Sequence, residues 1–263
     1  EVKLDEVLVT GSRAPLTALQ SAKIVAVISR DDIQRAEAAS VNDILKLVPG
    51  VDVRQRGGFG VQTDISINGG TFDQITILLN GMNLSSAQTG HNAADFPVSL
   101  SDIERIEVLE GASARVFGSS AFSGAINIVT KKAKSEGVSA SVEGGSFGSF
   151  GAQGRVQTAF ETGKWTQAYS VSGGYKRSDG GTENSDFEKG QGYGNLSFSY
   201  DQRFDIIAQL GIASQSYGAN TFYSAKYNNQ YEKTNHGLAS LNLSLHNQEK
   251  TWSSIHFMTT SSW

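Results

Sequence analysis

Two polar stretches in the first half of the chain carry residue types that bind small molecules. RQRGGFGVQ, at residues 54–62, places Arg56, Phe59 and Gln62 among glycines that allow a ligand to approach the backbone closely. SSAQTGHNAADF, at residues 85–96, is rich in hydrogen-bonding groups and has few charges. Its candidate ligand-binding residues are Ser85, Ser86, Gln88, Thr89, His91 and Asn92. Together the two stretches favour a large, neutral, polar ligand, although exposed loops that bind nothing have a similar composition.

The same stretches lack the arrangement expected of an enzyme. His91, Asp95 and Ser85 supply the residue types of a hydrolase triad. They lie in one short stretch, however, without a nucleophile elbow or an oxyanion frame. The glycine-rich sequences GGFG and GASARVFG lack the Gly-Lys-Ser/Thr of a phosphate-binding loop. We therefore expect a protein that is not an enzyme and requires no cofactor.

A third polar stretch contains four carboxylates within ten residues: Asp179, Glu183, Asp186 and Glu188. Carboxylate oxygens at this density can bind Ca²⁺, although their spacing is not that of an EF-hand. The alternative is a solvated acidic loop. The sequence leaves both interpretations open.

The composition excludes several classes of protein. The chain has 263 residues, enough for one or two domains, and 22 basic against 26 acidic residues give a net charge of -4. This balance provides no basic surface for nucleic acid, which we do not expect as a partner. There is no cysteine, which excludes disulfides and thiolate metal sites. No apolar run reaches the length of a transmembrane helix, but transmembrane strands hide their apolar residues by alternation.

The first 134 residues mix helix and strand signals. A strand is predicted over residues 24–28, followed by a helix capped by Ser29, and Ser40 caps a second helix with one apolar face. Alternating residues around Asn80-Gly81 predict a hairpin. Further strands are predicted in IERIEVLEG and AINIVT. This part is therefore predicted to be an α+β domain.

From residue 135 onward the chain alternates between apolar and polar residues. In FDIIAQLGI, for example, Phe204, Ile206 and Leu210 share one face. About seven such segments follow one another, separated in turn by tight turns and long polar loops. Alternation also fits a soluble sandwich, but a polar face of small uncharged residues and unequal connections favour an antiparallel transmembrane β-barrel. An open sheet of about seven strands with a lipid-facing surface would not be stable by itself, so the barrel is predicted to be incomplete.

A short strand-forming peptide stands near the start of the chain, at Glu6, Val7, Leu8, Val9 and Thr10. No pairing segment lies close to it in sequence. It is either the first strand of the α+β domain or a strand that pairs with another protein.

These features resemble the TonB-dependent outer-membrane receptors. The resemblance is carried, in order, by DEVLVTG, SVNDILKLVPGVDV, DISINGG, ILLNGMNL and IERIEVLEGASARVFGSSAFSGAINIVTKK. Residues 40–53 are most like those of the cobalamin receptor group, whose members hold calcium in extracellular loops. The resemblance implies a TonB box and periplasmic segment at residues 1–15, a plug domain at 16–134, and the first part of a barrel at 135–263. In this family the barrel has about 22 strands, of which about seven would lie in this chain.

The resemblance also implies a function and a location. The protein would lie in the outer membrane of a Gram-negative bacterium, in contact with lipid, with the plug in the barrel lumen and the N-terminus in the periplasm. TonB would pair with residues 6–10 and energise import of a scarce ligand, either cobalamin or another corrinoid, or else a ferric siderophore. A surface lipoprotein is a further candidate partner. The alternatives of another class are a passive porin or adhesin and a soluble β-rich enzyme.

Overall fold

A computed structural model describes residues 24–57, 61, 63–71, 74–84, 96–110, 123–201, 203–247 and 250–262. The predicted TonB box and most of the predicted ligand-binding residues lie outside these ranges. Contacts divide the chain into two compact units. The first, here called the mixed unit, comprises Glu1–Arg54, Thr63–Ala94 and Ile103–Lys131. The second, the strand unit, comprises Gln55–Gln62, Asp95–Asp102 and Lys132–Trp263.

The mixed unit contains a five-stranded sheet in the order β1-β6-β7-β4-β5. Strands β4 and β7 are parallel, and the other neighbours are antiparallel. These strands are β1 (Ile24–Ile28), β4 (Ile75–Leu79), β5 (Met82–Asn83), β6 (Ile103–Glu110) and β7 (Gly124–Thr130). A separate pair is formed by β2 (Val51–Gln55) and β3 (Thr63–Ile67), and the helices are α1 (Arg30–Arg35) and α2 (Val41–Leu45).

Local sequence explains these elements. Every residue of β4 and of β7 is buried, as expected for central strands with both faces covered. Ser29 caps α1 in a reciprocal capping box with Asp32, and the Ser40 hydroxyl accepts a hydrogen bond from the Asp43 amide at the start of α2. Asn80 and Gly81 both have positive φ, which confirms the predicted hairpin turn. The α+β prediction is therefore confirmed for this unit.

One charged residue of β6 lies in an unexpected environment. The alternation of IERIEVLEG is compatible with a hydrated face for Glu107, but its side chain is fully buried. It accepts hydrogen bonds from Arg105 Nε at 2.7 Å and from Asn127 Nδ2 at 2.9 Å. These charge-assisted bonds replace the lost hydration, because a buried carboxylate requires such partners.

The strand unit contains seven antiparallel strands in sequential order, as predicted. They are β8 (Gly137–Gly144), β9 (Phe150–Thr162), β10 (Trp165–Ser178), β11 (Phe187–Tyr200), β12 (Phe204–Gly218), β13 (Tyr231–Asn247) and β14 (Lys250–Ser262). Several strands are longer than the predicted segments, so the polar connections are shorter than the sequence suggests. Among the described residues, no helix is long and apolar enough to span a membrane.

Neighbouring rows of residues across this sheet differ sharply in character. Val138, Val156, Val171, Gly194 and Leu210 lie directly opposite one another, and the four apolar side chains among them are each more than half exposed. One residue further along each strand runs a second row, here called the docking row. It consists of Arg155, Ser172, Tyr193, Gly211 and Leu238, and its four side chains are buried. The predicted alternation is confirmed, with the apolar side chains on the exposed face.

Candidate functional site

Three connections of the strand unit meet at one end of its sheet. They follow β8, β10 and β12, at residues 145–149, 179–186 and 219–230. Because successive strands are antiparallel, alternate connections lie at the same end. The turns at residues 163–164 and 201–203 lie at the other end. Long connections at one end and short ones at the other match the pattern predicted from the sequence.

A cavity of about 520 Å³ opens among these connections. It is also lined by part of the first predicted ligand-binding stretch, through Arg56, Gly57 and Val61. Its volume falls within the range of about 300–1,000 Å³ that is typical of small-molecule sites. We refer to it as the loop cavity. The structure thus brings one sequence-predicted ligand residue, Arg56, together with loops that the sequence analysis did not assign to a ligand.

An apolar cluster forms one side of the loop cavity. Val61, Phe187, Tyr217 and Ala219 are buried together, and Phe222 packs against them. The Tyr217 and Phe222 rings lie 6.1 Å apart between centroids. This distance is within the range of favourable aromatic pairs, so the cluster fixes the Phe222 ring at the cavity wall.

Arg56 and Gly57 hold the connection 219–230 in place. Arg56 Nη1 donates a hydrogen bond to the carbonyl oxygen of Phe222 at 2.5 Å. A Cβ atom on Gly57 would lie only 3.0 Å from Cζ of Phe222, so glycine allows this close approach. The functional role predicted for Arg56 therefore includes a structural component, since its guanidinium already engages the wall of the cavity.

Amide side chains link this connection to the connection 179–186. Asn184 Nδ2 donates to the carbonyl oxygens of Asn228 and Gln230 at 2.8 and 2.7 Å. Asn220 Nδ2 donates to the carbonyl oxygen of Glu183 at 2.7 Å. At the base of the same connection, Glu232 accepts hydrogen bonds from the hydroxyls of Tyr217 and Tyr223. The connections thus form a cross-linked set rather than independent loops.

The loop cavity offers mainly neutral chemistry. Its lining includes the aromatic rings of Phe147 and Phe222, several glycines, and the polar side chains Ser178, Thr182, Ser185, Asn220 and Thr221. Asp186 and Arg56 contribute one charge of each sign. Such a surface suits a ligand with apolar edges and hydrogen-bonding groups.

The four predicted calcium ligands are not gathered into a metal site. Asp179 accepts a hydrogen bond from Arg177 Nη2 at 2.5 Å, and Glu188 accepts one from the Tyr175 hydroxyl at 3.1 Å. Among the described residues, no group of three or more His, Cys, Asp or Glu side chains is arranged to hold a metal ion. The calcium site therefore stays a prediction that this geometry does not support.

The other predicted ligand-binding residues cannot be placed. Phe59, Gln62 and the six candidates between Ser85 and Asn92 lie outside the described residues. Conversely, the sequence analysis missed Phe222 and Asn220. The only signal was their position in a long polar stretch, in which aromatic residues interrupt Asn and Gln.

The chain resembles proteins of one family in sequence and in structure. Residues 17–125 match the TonB-dependent receptor plug domain. Over 206 residues the chain is 34% identical to the vitamin B12 transporter BtuB of Vibrio vulnificus, an alignment that covers 76% of this chain and 33% of that protein. The chain therefore spans about a third of that relative's length.

Solved structures show the same fold. The ferric citrate transporter FecA in its unliganded form matches with a TM-score of 0.72 and 19% identity, over 90% of this chain and 39% of that one. The alcaligin outer-membrane receptor FauA of Bordetella pertussis matches with a TM-score of 0.71 and 16% identity, over 98% of this chain and 42% of that one. These relatives are transporters and receptors, in line with the expectation of a protein that is not an enzyme. Residues 17–125 therefore belong to the plug-domain family of TonB-dependent receptors, and the antiparallel strands of the strand unit follow them in sequence.

Proposed function

We propose that the chain is part of a TonB-dependent outer-membrane transporter that binds a corrinoid outside the cell and imports it into the periplasm. The observation that carries this proposal is the loop cavity, where Arg56 and Gly57 of the plug sequence meet the strand connections. A ligand in that position would contact plug and barrel sequences together. The similarity to a vitamin B12 transporter supports a corrinoid as the first candidate.

The chemistry of the cavity supports a neutral ligand over an anionic one. An anionic ferric siderophore would require cationic side chains at the site. Arg56 is the cation that lines the loop cavity among the described residues, and it donates to a backbone carbonyl there. A ferric siderophore is the second candidate, because solved relatives carry ferric citrate and alcaligin in their names.

Energy coupling is assigned to residues 6–10. An unpaired strand can add to the edge of a sheet in TonB through main-chain hydrogen bonds, which place little demand on sequence. Force along this strand would then rearrange the plug and release the ligand inward. A surface lipoprotein and Ca²⁺ bound by Asp179, Glu183, Asp186 and Glu188 are additional proposals.

Binding of cyanocobalamin to the full-length receptor tests the ligand. We expect saturable binding that the substitution Phe222→Ala weakens by about tenfold or more, because this ring is a partly buried aromatic group at the cavity wall. Tyr227→Ala is the matched control: its ring is exposed in the same connection and does not line the cavity. Titrations with Ca²⁺ and with a chelator show whether the metal strengthens binding. If the wild-type receptor does not bind cyanocobalamin in either condition, the corrinoid assignment is wrong and ferric siderophores are tested next.

Uptake by cells tests the coupling. Deletion of residues 6–10 is expected to abolish uptake while leaving ligand binding intact, because the deleted residues are far in sequence from the predicted ligand-binding stretches. A passive porin needs no such strand. Uptake that survives the deletion would therefore favour the porin alternative.

A further inference from the structure

A segment from the middle of the chain binds along the docking row of the strand unit. Residues Asp95–Asp102 group with the strand unit rather than with the mixed unit, although Ile103–Lys131, the next segment, belongs to the mixed unit. Phe96, Val98, Ser99 and Asp102 are all buried. A segment that belongs to the strand unit by its contacts is therefore inserted in sequence between two segments of the mixed unit.

Asp102 provides the polar end of this attachment. Its side chain is fully buried, and Oδ1 accepts a hydrogen bond from Arg155 Nη1 at 2.7 Å. Oδ2 accepts from Ser172 Oγ at 2.8 Å and from the amide and hydroxyl of Ser99 at 3.0 Å each. Two donors therefore come from neighbouring strands of the sheet, and two come from the segment itself.

Pro97 provides the apolar end. A Cβ atom on Gly211 would lie 3.0 Å from both Cβ and Cγ of Pro97, which is closer than side chains normally approach. Glycine at this position of the docking row therefore makes room for the proline ring. Tyr193 lies between Gly211 and Ser172 in the row and donates to Gln209 Oε1 at 2.7 Å. The segment is thus fixed at two points along one row of the sheet.

Stability is a weak explanation for a buried ion pair, because apolar residues of similar size often serve a fold as well or better. In some proteins such pairs instead fix one arrangement among several. The two carboxylate oxygens of Asp102 accept from four donors, so shifting the segment along the row would break several bonds together.

We propose that Asp95–Asp102 is a fixed anchor, which stays bound to the docking row while the rest of the plug rearranges during transport. The inference rests on the proposed function in one respect, namely that the plug rearranges at all. Asp102 and Arg155 are then positioning residues. They touch no ligand, and they keep residues 95–102 bound to the docking row when the rest of the plug moves.

An engineered disulfide tests the anchor directly. The chain has no cysteine, and the pair Pro97→Cys/Gly211→Cys starts from a Cβ separation of about 3.0 Å, close to the range of disulfides. In a full-length receptor otherwise free of cysteine, we expect the oxidised and reduced forms to take up cyanocobalamin at rates equal within about twofold. Uptake that is blocked on oxidation and restored by a reductant would overturn the proposal, because the segment would then have to leave the row.

A second pair provides the matched control inside the mixed unit. A Cβ atom on Gly70 would lie 2.7 Å from Cβ of Ser123, so Gly70→Cys/Ser123→Cys joins two segments of that unit. We expect its oxidation to slow uptake reversibly, because it restrains the part that moves. If the wild-type receptor takes up no cyanocobalamin, the corrinoid assignment is wrong. If neither disulfide alters uptake, the assumed rearrangement of the plug is wrong. The anchor is then judged by a measurement that needs no ligand.

That measurement is the yield of the Pro97→Cys/Gly211→Cys disulfide in the purified receptor under mild oxidation. We expect Asp102→Ala to lower the yield severalfold, because Arg155 and Ser172 lose their shared acceptor. Asp102→Asn should lower it less, since an amide oxygen still accepts from Ser99 and Ser172. Gly174→Ala, a change on the same face with ordinary contacts of about 3.5 Å, is expected to have no effect. An unchanged yield in Asp102→Ala would show that this carboxylate does not hold the segment, and the proposal would be wrong.

Discussion

The mixed unit and the strand unit bury polar groups in opposite ways. In the mixed unit, β4 and β7 are buried throughout, and the carboxylate of Glu107 is satisfied by residues of the same sheet. In the strand unit, the valines and Leu210 of the outer row are exposed, while the docking row is buried. Its buried carboxylate, Asp102, arrives from a segment more than fifty positions away from Arg155.

This difference shows what each unit requires from its surroundings. The mixed unit carries its own apolar core and satisfies its buried charge locally. The strand unit leaves one face apolar, so it is stable only where that face meets an apolar medium or partner. A bilayer supplies such a medium for strands with this alternation. The two units should therefore respond in opposite ways to substitutions of the same chemical type.

The largest effect is expected from truncating the core of the mixed unit. Ile126→Ala removes a fully buried side chain of β7 and should cost about 2–5 kcal/mol, from lost burial and the cavity left behind. Leu210→Ala truncates a side chain that is 62% exposed and should cost less than about 1 kcal/mol. Hydrogen exchange of the β6 and β7 amides in the full-length receptor measures the first loss. Equal losses for the two variants would contradict the comparison.

A positive charge on the outer row should have the next largest effect. In a bilayer, Leu210→Arg is expected to cost about 2–4 kcal/mol if the residue lies near the midplane. Asn195→Arg is the matched control, because Asn195 lies on β11 on the face that carries Tyr193 and the docking row. Its cost should be smaller, since that face already holds polar groups. Unfolding of the full-length receptor in lipid vesicles measures both, and a larger cost for Asn195→Arg would show that the apolar face does not meet lipid.

Much of the contrast between the two units can be predicted from the sequence, because it depends on local periodicity. The alternation of FDIIAQLGI places Leu210 on the exposed face, and Asn80-Gly81 predicts a turn that the backbone confirms. Caps at Ser29 and Ser40 follow from residue type and spacing alone. Such features need only neighbours within a few residues, so a single sequence carries them.

The polar contacts were beyond the sequence for a physical reason. Asp102 and Arg155 are ordinary charged residues in their own stretches, and only the register of β9 and β10 brings Arg155 beside Ser172 to face one carboxylate. Glu107 alternates like a solvent-facing residue, yet its neighbours bury it. In the loop cavity, Arg56 was identified from its glycine-rich setting. Phe222, 166 positions away, is linked to it only by the fold.

The smallest loss of stability is expected from removing the N-terminal cap of α1, a local feature of the mixed unit. Ser29 Oγ donates to Asp32 Oδ2 at 2.6 Å and accepts from the Asp32 amide at 3.3 Å. Ser29→Ala should cost about 1 kcal/mol near neutral pH. Gln34→Ala, an exposed change within the same helix, is the control and should stay within about 0.5 kcal/mol. Thermal unfolding of the full-length receptor, together with hydrogen exchange of the α1 amides, distinguishes the two variants.

The cap should also make the stability of α1 depend on pH in the acid range. The hydrogen bond from the Ser29 side chain, followed by that from its backbone amide, lowers the pKa of Asp32 below its ordinary value of 3.8. A lowered folded-state pKa means that the contribution is complete above 3.8 and is lost as the pH falls through the folded-state pKa. The difference between wild type and Ser29→Ala should therefore be constant near neutral pH and shrink in the acid range below 3.8. Because the group is exposed, the change should be small. A difference that stays constant through the acid range would mean that the cap acts through the serine alone, with no share for the carboxylate of Asp32.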